Sequence, residues 1–358
     1  MIKRMLKRTL RWDRSRDRES ENSDEIPDYE EANLATVVTS EAVTNGEDSF
    51  MIRCRDPMKW NRIVAYSRAM DVLLLNELGQ HCVRCVTKTP LREELIRLGC
   101  IDIFNGMLTG NMDYVVHELA MTCLAYLSVF PKYRPLLIEK DLLDIILPNM
   151  GYNQYNLQLQ TVKCIANLSI DKNVAHKVYK KGGLVSIMQL FCLPLSSSSL
   201  ELKAECLSTI ACLSRLADIA RDLVMIGALV PIIDCLWLVE GVAYIDAPWH
   251  RSYDPPRPEE AQIPLYKKIA TAACQCMRFI TFYVDAKQLY FDLRAPYVLL
   301  SYAMSANKAF QKPASAAVNT FRLTLGDFKQ QELNLLDRTY ENLQQEYQVS
   351  SSIIFLGI

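Results

Sequence analysis

Two short apolar elements recur along this chain at a constant separation, and this spacing limits the possible folds more than any other feature. The first element occurs as CLAYLS (123–128), CIANLS (164–169), TIACLS (209–214) and CMRFIT (276–281). The second follows each of them as DLLDII (141–146), GGLVSI (182–187), GALVPI (227–232) and RAPYVL (294–299). The fourth residue of the first element and the first residue of the second are fifteen residues apart in every pair. Such self-similarity at a fixed period indicates a repeat protein.

The distance from each second element to the next first element varies instead. We counted from the first residue of each second element, beginning with GCIDIF (99–104), to the fourth residue of the next first element. The gaps are 27, 26, 30 and 52 residues. The part of the repeat with a constant length predicts packed helices, and the part with a variable length predicts a surface loop that tolerates insertions. Because glycine is scarce and the apolar spacing is mostly helical, we predict an all-α fold. We expect a right-handed α-solenoid of about five repeats of roughly 41 residues, the last in AAVNTFRL (316–323), with helical caps at both ends.

The repeat resembles the armadillo family, whose unit ends in a long third helix reading roughly A-L-x-N-L. The next unit of that family opens with a glycine, a small residue and an apolar helix. KCIANLS (163–169) and KKGGLVSIMQLF (180–191) fit this pattern, and the resemblance covers about residues 90–325, preceded by a helix pair at 58–97. The related HEAT family is the main competing assignment. The resemblance implies a non-enzymatic interaction scaffold whose third helices line a concave groove for a protein or peptide partner.

In this family an asparagine on the third helix binds the backbone of an extended peptide, since an amide both donates and accepts hydrogen bonds. Only Asn167 keeps that residue here; its counterparts are Tyr126, Cys212, Phe279 and Thr320. One turn earlier, where import adaptors carry tryptophans, no counterpart is aromatic, so a nuclear-import cargo adaptor is a less favoured alternative. The residues that the resemblance assigns to the groove are Thr122, Tyr126, Gln160, Lys163, Asn167, Ser208, Gln275 and Phe279.

Some of these assignments have structural alternatives. Tyr126 and Phe279 are either aromatic anchors for a partner or side chains that pack between neighbouring helices. Asn167 is either a peptide contact or a polar residue that serves local solvation or helix-end capping. A further functional alternative is a structural assembly component that uses the convex surface or the ends of the solenoid.

The largest gap contains a Pro-rich insertion, predicted at residues 238–264. Its prolines oppose helix formation, and a loop of this length is uncommon unless it is functional or disordered. Tyr244, Trp249 and Tyr253 are therefore candidate partner-binding residues of a docking loop. The alternative is a tolerated surface insertion.

The two ends of the chain differ in composition from the repeat region, which we predict at 57–325. Residues 1–18 hold eight Lys or Arg, and residues 19–50 hold ten Asp or Glu with no Lys or Arg. Large apolar residues are few in the acidic segment, so residues 1–56 are predicted as a disordered tail. Residues 326–358 are predicted as a C-terminal helix and tail. We expect a cytoplasmic protein, with the nucleus or the mitochondrion as alternatives through the basic segment.

The sequence argues against several classes of function. With a net charge of −1 the chain has no overall attraction to nucleic acid, and we expect no direct nucleic-acid partner. Twelve cysteines without a secretory leader indicate a reducing compartment, and no apolar run is long enough for a transmembrane helix. Histidines and cysteines form no nucleophile or metal-ligand pattern, so we predict no catalytic residue, cofactor or metal. The partner's identity and the oligomeric state stay open.

Overall fold

The computed structural model of the chain describes residues 55–68, 71–110, 113–140, 142–193, 200–245 and 259–321. Within these ranges every regular element is a helix, and no strand occurs. The predicted N-terminal tail, up to residue 54, and the predicted C-terminal helix and tail lie outside the described residues.

The described residues form seventeen α-helices. In chain order they are α1 Pro57–Tyr66, α2 Val72–Thr87, α3 Thr89–Arg97, α4 Ile101–Gly110, α5 Tyr114–Val129, α6 Arg134–Glu139, α7 Leu143–Ile146, α8 Tyr155–Leu168, α9 Lys172–Lys180, α10 Gly183–Phe191, α11 Leu200–Leu213, α12 Ala217–Met225, α13 Leu229–Leu238, α14 Ile263–Tyr283, α15 Lys287–Asp292, α16 Ala295–Ala303 and α17 Lys308–Thr320. Short 3₁₀ helices lie at Pro131–Tyr133, Leu147–Gly151, Glu240–Tyr244 and Glu260–Gln262.

Helices α1 and α2 precede five consecutive three-helix repeats. In each repeat a short first helix leads to a second helix and then to a longer third helix, as in α9, α10 and α11. The third helices α5, α8, α11, α14 and α17 pack side by side, and α2 packs against α5 at the N-terminal end. Second helices cover the other side of the third helices. The described residues form an all-α solenoid of five repeats, as the spacing of the two elements predicted.

Aspartates start several of the helices. The side chain of Asp71 accepts hydrogen bonds from the backbone N–H groups of Leu73 and Leu74, at 3.0 and 3.1 Å. Asp113 and Asp171 cap α5 and α9 in the same way. These caps satisfy N–H groups that have no acceptor inside the helix, and they fix the point at which each helix begins.

A positive φ angle precedes several second helices and explains the recurring glycine of the second sequence element. Gly99, Gly182 and Gly227 have φ angles of 86°, 78° and 76°. Arg294, their counterpart in the last repeat, has a φ angle of 57° despite its side chain. Left-handed backbone costs a residue with a Cβ about 1–2 kcal/mol, so glycine is the favoured residue at this turn.

Buried thiols line the core along the third helices. Cys123, Cys164 and Cys276 lie in the first sequence element, and all three are buried. Burial raises the pKa of Cys164 to about 12 and that of Cys276 well above its ordinary value. Both thiols are therefore protonated at physiological pH and act as small apolar side chains.

Replacing Gly227 by alanine tests the left-handed turn. A Cβ at Gly227 would meet no heavy atom within 4 Å, so the only cost is the backbone conformation. We expect Gly227→Ala to lower the free energy of unfolding by about 1 kcal/mol, measured by urea denaturation followed by circular dichroism. Gly151→Ala is the matched control, since a Cβ there is equally free and the backbone is not left-handed. An equal loss in both variants would contradict the interpretation.

Alkylation should distinguish the core thiols from Cys192, which is exposed. We expect iodoacetamide at pH 8 to modify Cys192 in the folded protein and to leave Cys164 unmodified until the protein is unfolded. Peptide mass spectrometry follows both sites, in a Cys54→Ser background because Cys54 lies outside the described residues. Equal rates at Cys192 and Cys164 in the folded protein would show that the core around Cys164 is open.

Candidate partner-binding groove

Each third helix from α5 to α14 presents one stripe of side chains at helical spacing, while its flanks pack on neighbouring third helices and its back on second helices. We call these stripes together the groove face. All eight residues that the resemblance assigned to a groove lie on it. Its members are Thr122 and Tyr126 on α5; Gln160, Lys163 and Asn167 on α8; Glu201, Glu205, Ser208, Cys212 and the following Arg215 on α11; and Lys268, Gln275, Arg278, Phe279 and Phe282 on α14.

Asn167 forms a hydrogen bond to the preceding repeat. Its Nδ2 donates to the Oγ of Ser128 at 3.0 Å, and the Ser128 hydroxyl donates to the carbonyl oxygen of Ala125 at 2.7 Å. Ser128 is buried, so this bond links α8 to α5 below the surface of the groove face. The amide therefore has a role within the fold, and a peptide contact at Asn167 stays a prediction.

Tyr126 packs between helices. Its hydroxyl donates to the carbonyl oxygen of Thr87 at 3.4 Å. Its ring centroid lies 5.7 Å from that of Phe130 and 5.7 Å from the guanidinium carbon of Arg92. The half-buried ring thus belongs to the packing between α5 and the end of α2. This is the second of the two roles considered for Tyr126, packing between helices and not anchoring a partner.

The small polar residues of the groove face bond within their own helices. The hydroxyls of Thr122 and Ser208 donate to the carbonyl oxygens of Glu118 and Ala204, each at 2.8 Å. Such bonds to the preceding turn occupy the only donor that each hydroxyl has. Gln160 and Gln275 are half-buried on the same face.

Two ion pairs cross between third helices in the middle of the groove face. The Nζ of Lys163 on α8 lies 2.7 Å from the Oε1 of Glu201 on α11. The Nζ of Lys268 on α14 lies 2.7 Å from the Oε1 of Glu205 on α11. Since the Glu205 side chain is only 9% exposed, Lys268 neutralises a carboxylate that would otherwise be costly to bury.

Arginines cap the carboxyl ends of the third helices. Arg134 donates through Nε and Nη2 to the carbonyl oxygens of Ser128 and Val129, both at 2.8 Å. Arg215 donates through Nη2 to the carbonyl oxygens of Ser169 and Ile170, at 2.9 and 2.6 Å, and so links α11 to the end of α8. Carbonyl groups at a helix end have no intrahelical donor, and a cation there also interacts favourably with the helix dipole.

Two aromatic rings give α14 a different surface from the other third helices. Phe279 is half-buried, and Phe282, one turn further along the same face, is 70% exposed. The guanidinium carbon of Arg278 lies 5.4 Å from the Phe279 ring centroid. The Phe282 and Tyr283 rings form a T-shaped pair with 5.0 Å between their centroids. The sequence prediction missed Phe282, although its position three residues after Phe279 places it on the same side of the helix.

The Pro-rich insertion is narrower than predicted, because both of its ends are folded. Glu240–Tyr244 forms a 3₁₀ helix that is largely buried. Helix α14 begins at Ile263, so Pro264 lies in its first turn, where the missing N–H has no cost.

Tyr244, predicted as a residue of a docking loop, is attached to the fold instead. Its hydroxyl donates to the Oε1 of Glu240 at 2.8 Å, and the same oxygen accepts a hydrogen bond from Ser301 Oγ at 2.7 Å. The half-buried Tyr244 ring packs against the core. Trp249 and Tyr253 lie outside the described residues.

The three-helix repeats and the stacked third helices define an armadillo-like repeat fold. The solved structure of the designed armadillo repeat protein YIII(Dq)4CqI is similar to this chain with a TM-score of 0.56 and 17% identity, over 73% of this chain and 98% of that one. A designed armadillo repeat protein in complex with the peptide (KR)4 gives a TM-score of 0.54 and 18% identity over 73% and 98% of the two chains. Computationally designed armadillo repeat proteins for modular peptide recognition give 0.55 and 17% over the same shares.

At these identities the similarity concerns the fold alone. No protein-family model matches the chain, and no curated protein sequence matches it either.

Within the described ranges, no group of three or more His, Cys, Asp or Glu residues is placed to hold a metal ion. No single described helix is long and apolar enough to cross a membrane; one pair of segments, Tyr114–Val129 and Pro131–Glu139, meets that test only together and is bent by 112°.

Replacing Arg215 tests whether groove-face side chains hold neighbouring repeats together. Arg215→Met removes charge-assisted hydrogen bonds to two backbone carbonyls and should lower the free energy of unfolding by about 1.5–3 kcal/mol, measured by urea denaturation. Arg221→Met on α12 is the matched control, because Arg221 is exposed and its partner among the described residues is Asp218, three residues away; we expect a loss of at most about 1 kcal/mol. Equal small losses would show that Arg215 does not join the repeats.

Proposed function

We propose that this protein is a non-enzymatic interaction scaffold that binds a segment of a protein partner along its groove face. The observation that carries the proposal is the aromatic pair on α14, where Phe282 is 70% exposed beside half-buried Phe279. A phenylalanine in water forgoes the free energy of burial, and aromatic side chains of this kind are enriched where partners bind. No part of the stacking between repeats requires Phe282 to be exposed.

The proposed site is smaller than the groove predicted from the resemblance. On the groove face the amide of Asn167 and the ammonium of Lys163 each contact a neighbouring repeat, and the hydroxyl of Tyr126 contacts the end of α2. A ligand would have to displace these contacts before it gained new ones. Phe279 and Phe282 can accept apolar side chains without such a loss, so we assign the main anchor to α14.

The structural neighbours support this class of function. One designed armadillo protein was solved with a peptide, and others were designed for modular peptide recognition. An extended segment lying across stacked third helices would contact α11, α14 and α17 in turn, which suits a repeat array better than a single pocket.

Replacing Phe282 tests the proposal. We expect Phe282→Ser to reduce the recovery of bound partners from the full-length, affinity-purified protein about tenfold or more, as the loss of an aromatic anchor does. Quantitative mass spectrometry measures recovery, and circular dichroism checks that helicity is unchanged. Met225→Ser on α12 is the matched control, because Met225 is 83% exposed and lies away from the groove face. Retention of every partner by Phe282→Ser would refute the groove assignment.

A second candidate function has one supporting observation. Met225, Ile226 and Val230, around the turn from α12 to α13, are also exposed apolar side chains. They would suit a structural assembly component that docks through the convex side. In that case Met225→Ser would lose partners and Phe282→Ser would keep them, so the same pair of variants distinguishes the two functions.

A further inference from the structure

The acidic groups of the groove face are already neutralised. Glu201 and Glu205 on α11 are paired with Lys163 and Lys268, which come from the third helices on either side. A basic peptide would have to compete with these lysines for the same carboxylate oxygens, and each exchange would replace one ion pair by another. The middle of the groove face therefore offers little net attraction to Lys or Arg side chains.

Cations on the C-terminal side are not neutralised in this way. Neither α14 nor α17 contains an acidic residue, and apart from Lys268, which is paired with Glu205, they hold Lys267, Arg278, Lys308 and Lys312. Arg278 and Lys312 are exposed, and within the described part of the chain neither has an ion pair or a hydrogen bond from its side chain. The guanidinium of Arg215 is directed at backbone carbonyls and meets no carboxylate among those residues. Arg278 and Lys312 thus give these two helices exposed positive charge with no acidic residue on either helix, whereas Asp285, three residues after Phe282, is an exposed carboxylate beyond the end of α14.

Apolar and cationic groups alternate closely at this end of the groove face. The Arg278 guanidinium lies against the Phe279 ring, and Phe282 is one turn away on the same side of α14. A partner segment that places apolar side chains on the two rings would bring its neighbouring residues within reach of Arg278. Carboxylates at those positions would form charge-assisted hydrogen bonds with the guanidinium.

We propose that the α14 end of the groove face, together with the adjoining helix α17, binds an acidic segment of a separate protein, anchored by apolar side chains on Phe279 and Phe282, and that Lys163 and Lys268 make the groove reject basic peptides. This inference rests on the proposed function and adds to it the chemical class of the partner.

Fluorescence anisotropy with three labelled peptides, (EL)4, (KR)4 and (SG)4, tests the inference on the full-length protein. We expect (EL)4 to bind at least tenfold more tightly than (KR)4, and its affinity to fall several-fold when salt is raised, as for exposed charges. Arg278→Ala combined with Lys312→Ala should weaken (EL)4 about tenfold. Arg221→Ala, which removes an exposed cation on α12, should leave its affinity unchanged.

A second variant tests the role of the lysines. Lys163→Met leaves Glu201 without its partner, and this carboxylate is 44% exposed, so it stays hydrated and the fold should persist. We expect (KR)4 to bind several-fold more tightly to Lys163→Met than to the wild type. No gain in this variant, with its melting temperature unchanged, would show that Lys163 does not exclude basic peptides.

The outcomes separate this inference from the proposed function. Tighter binding of (KR)4 than of (EL)4, still sensitive to Phe282→Ser, would overturn the charge preference and leave the groove as the binding site. Failure of all three peptides to bind would overturn the inference, whereas partner recovery that ignores Phe282→Ser would overturn the proposed function. If (EL)4 binds only after the acidic residues of 19–50 are replaced by their amides, the occupant is the chain's own segment, contrary to the assignment to a separate protein.

Discussion

Burial of apolar surface between successive third helices is the constraint on which the rest of the structure depends. Ile165 on α8 is fully buried, as are Cys123 on α5 and Cys276 on α14. One repeat of roughly 41 residues cannot cover its own apolar faces, so each repeat is stable only when its neighbours are folded. The caps and turns of the individual helices set the repeat length, but the stacking of third helices holds the array together.

The same stacking determines which side chains remain available for a partner. Because neighbouring third helices lie close together, polar residues on the groove face reach the preceding repeat, as Asn167 and Arg215 do. These side chains stabilise the array, and their polar groups are already bonded within the fold before any partner binds. Phe282 differs, because it lies on the same face and contributes little to the contact between repeats.

The sequence alone predicts the solenoid because its period is set by local rules. The left-handed turn recurs before several second helices, so the spacing identified Arg294 as an equivalent of Gly182 and Gly227, and its φ angle agrees. Partners across repeats could not be predicted, since the bonds from Asn167 to Ser128 and from Lys163 to Glu201 depend on how two helices cross. The folded ends of the insertion were missed because Glu240 is held by Ser301, 61 residues away.

Hydrogen–deuterium exchange of the full-length protein, alone and saturated with (EL)4, tests whether a partner segment binds on α14 and α17. This measurement locates the bound surface without any substitution. We expect slower amide exchange in the C-terminal half of α14 and in α17, with α12 and α13 unchanged. Protection confined to α12 and α13 would contradict it and would place the binding surface on the convex side of the solenoid.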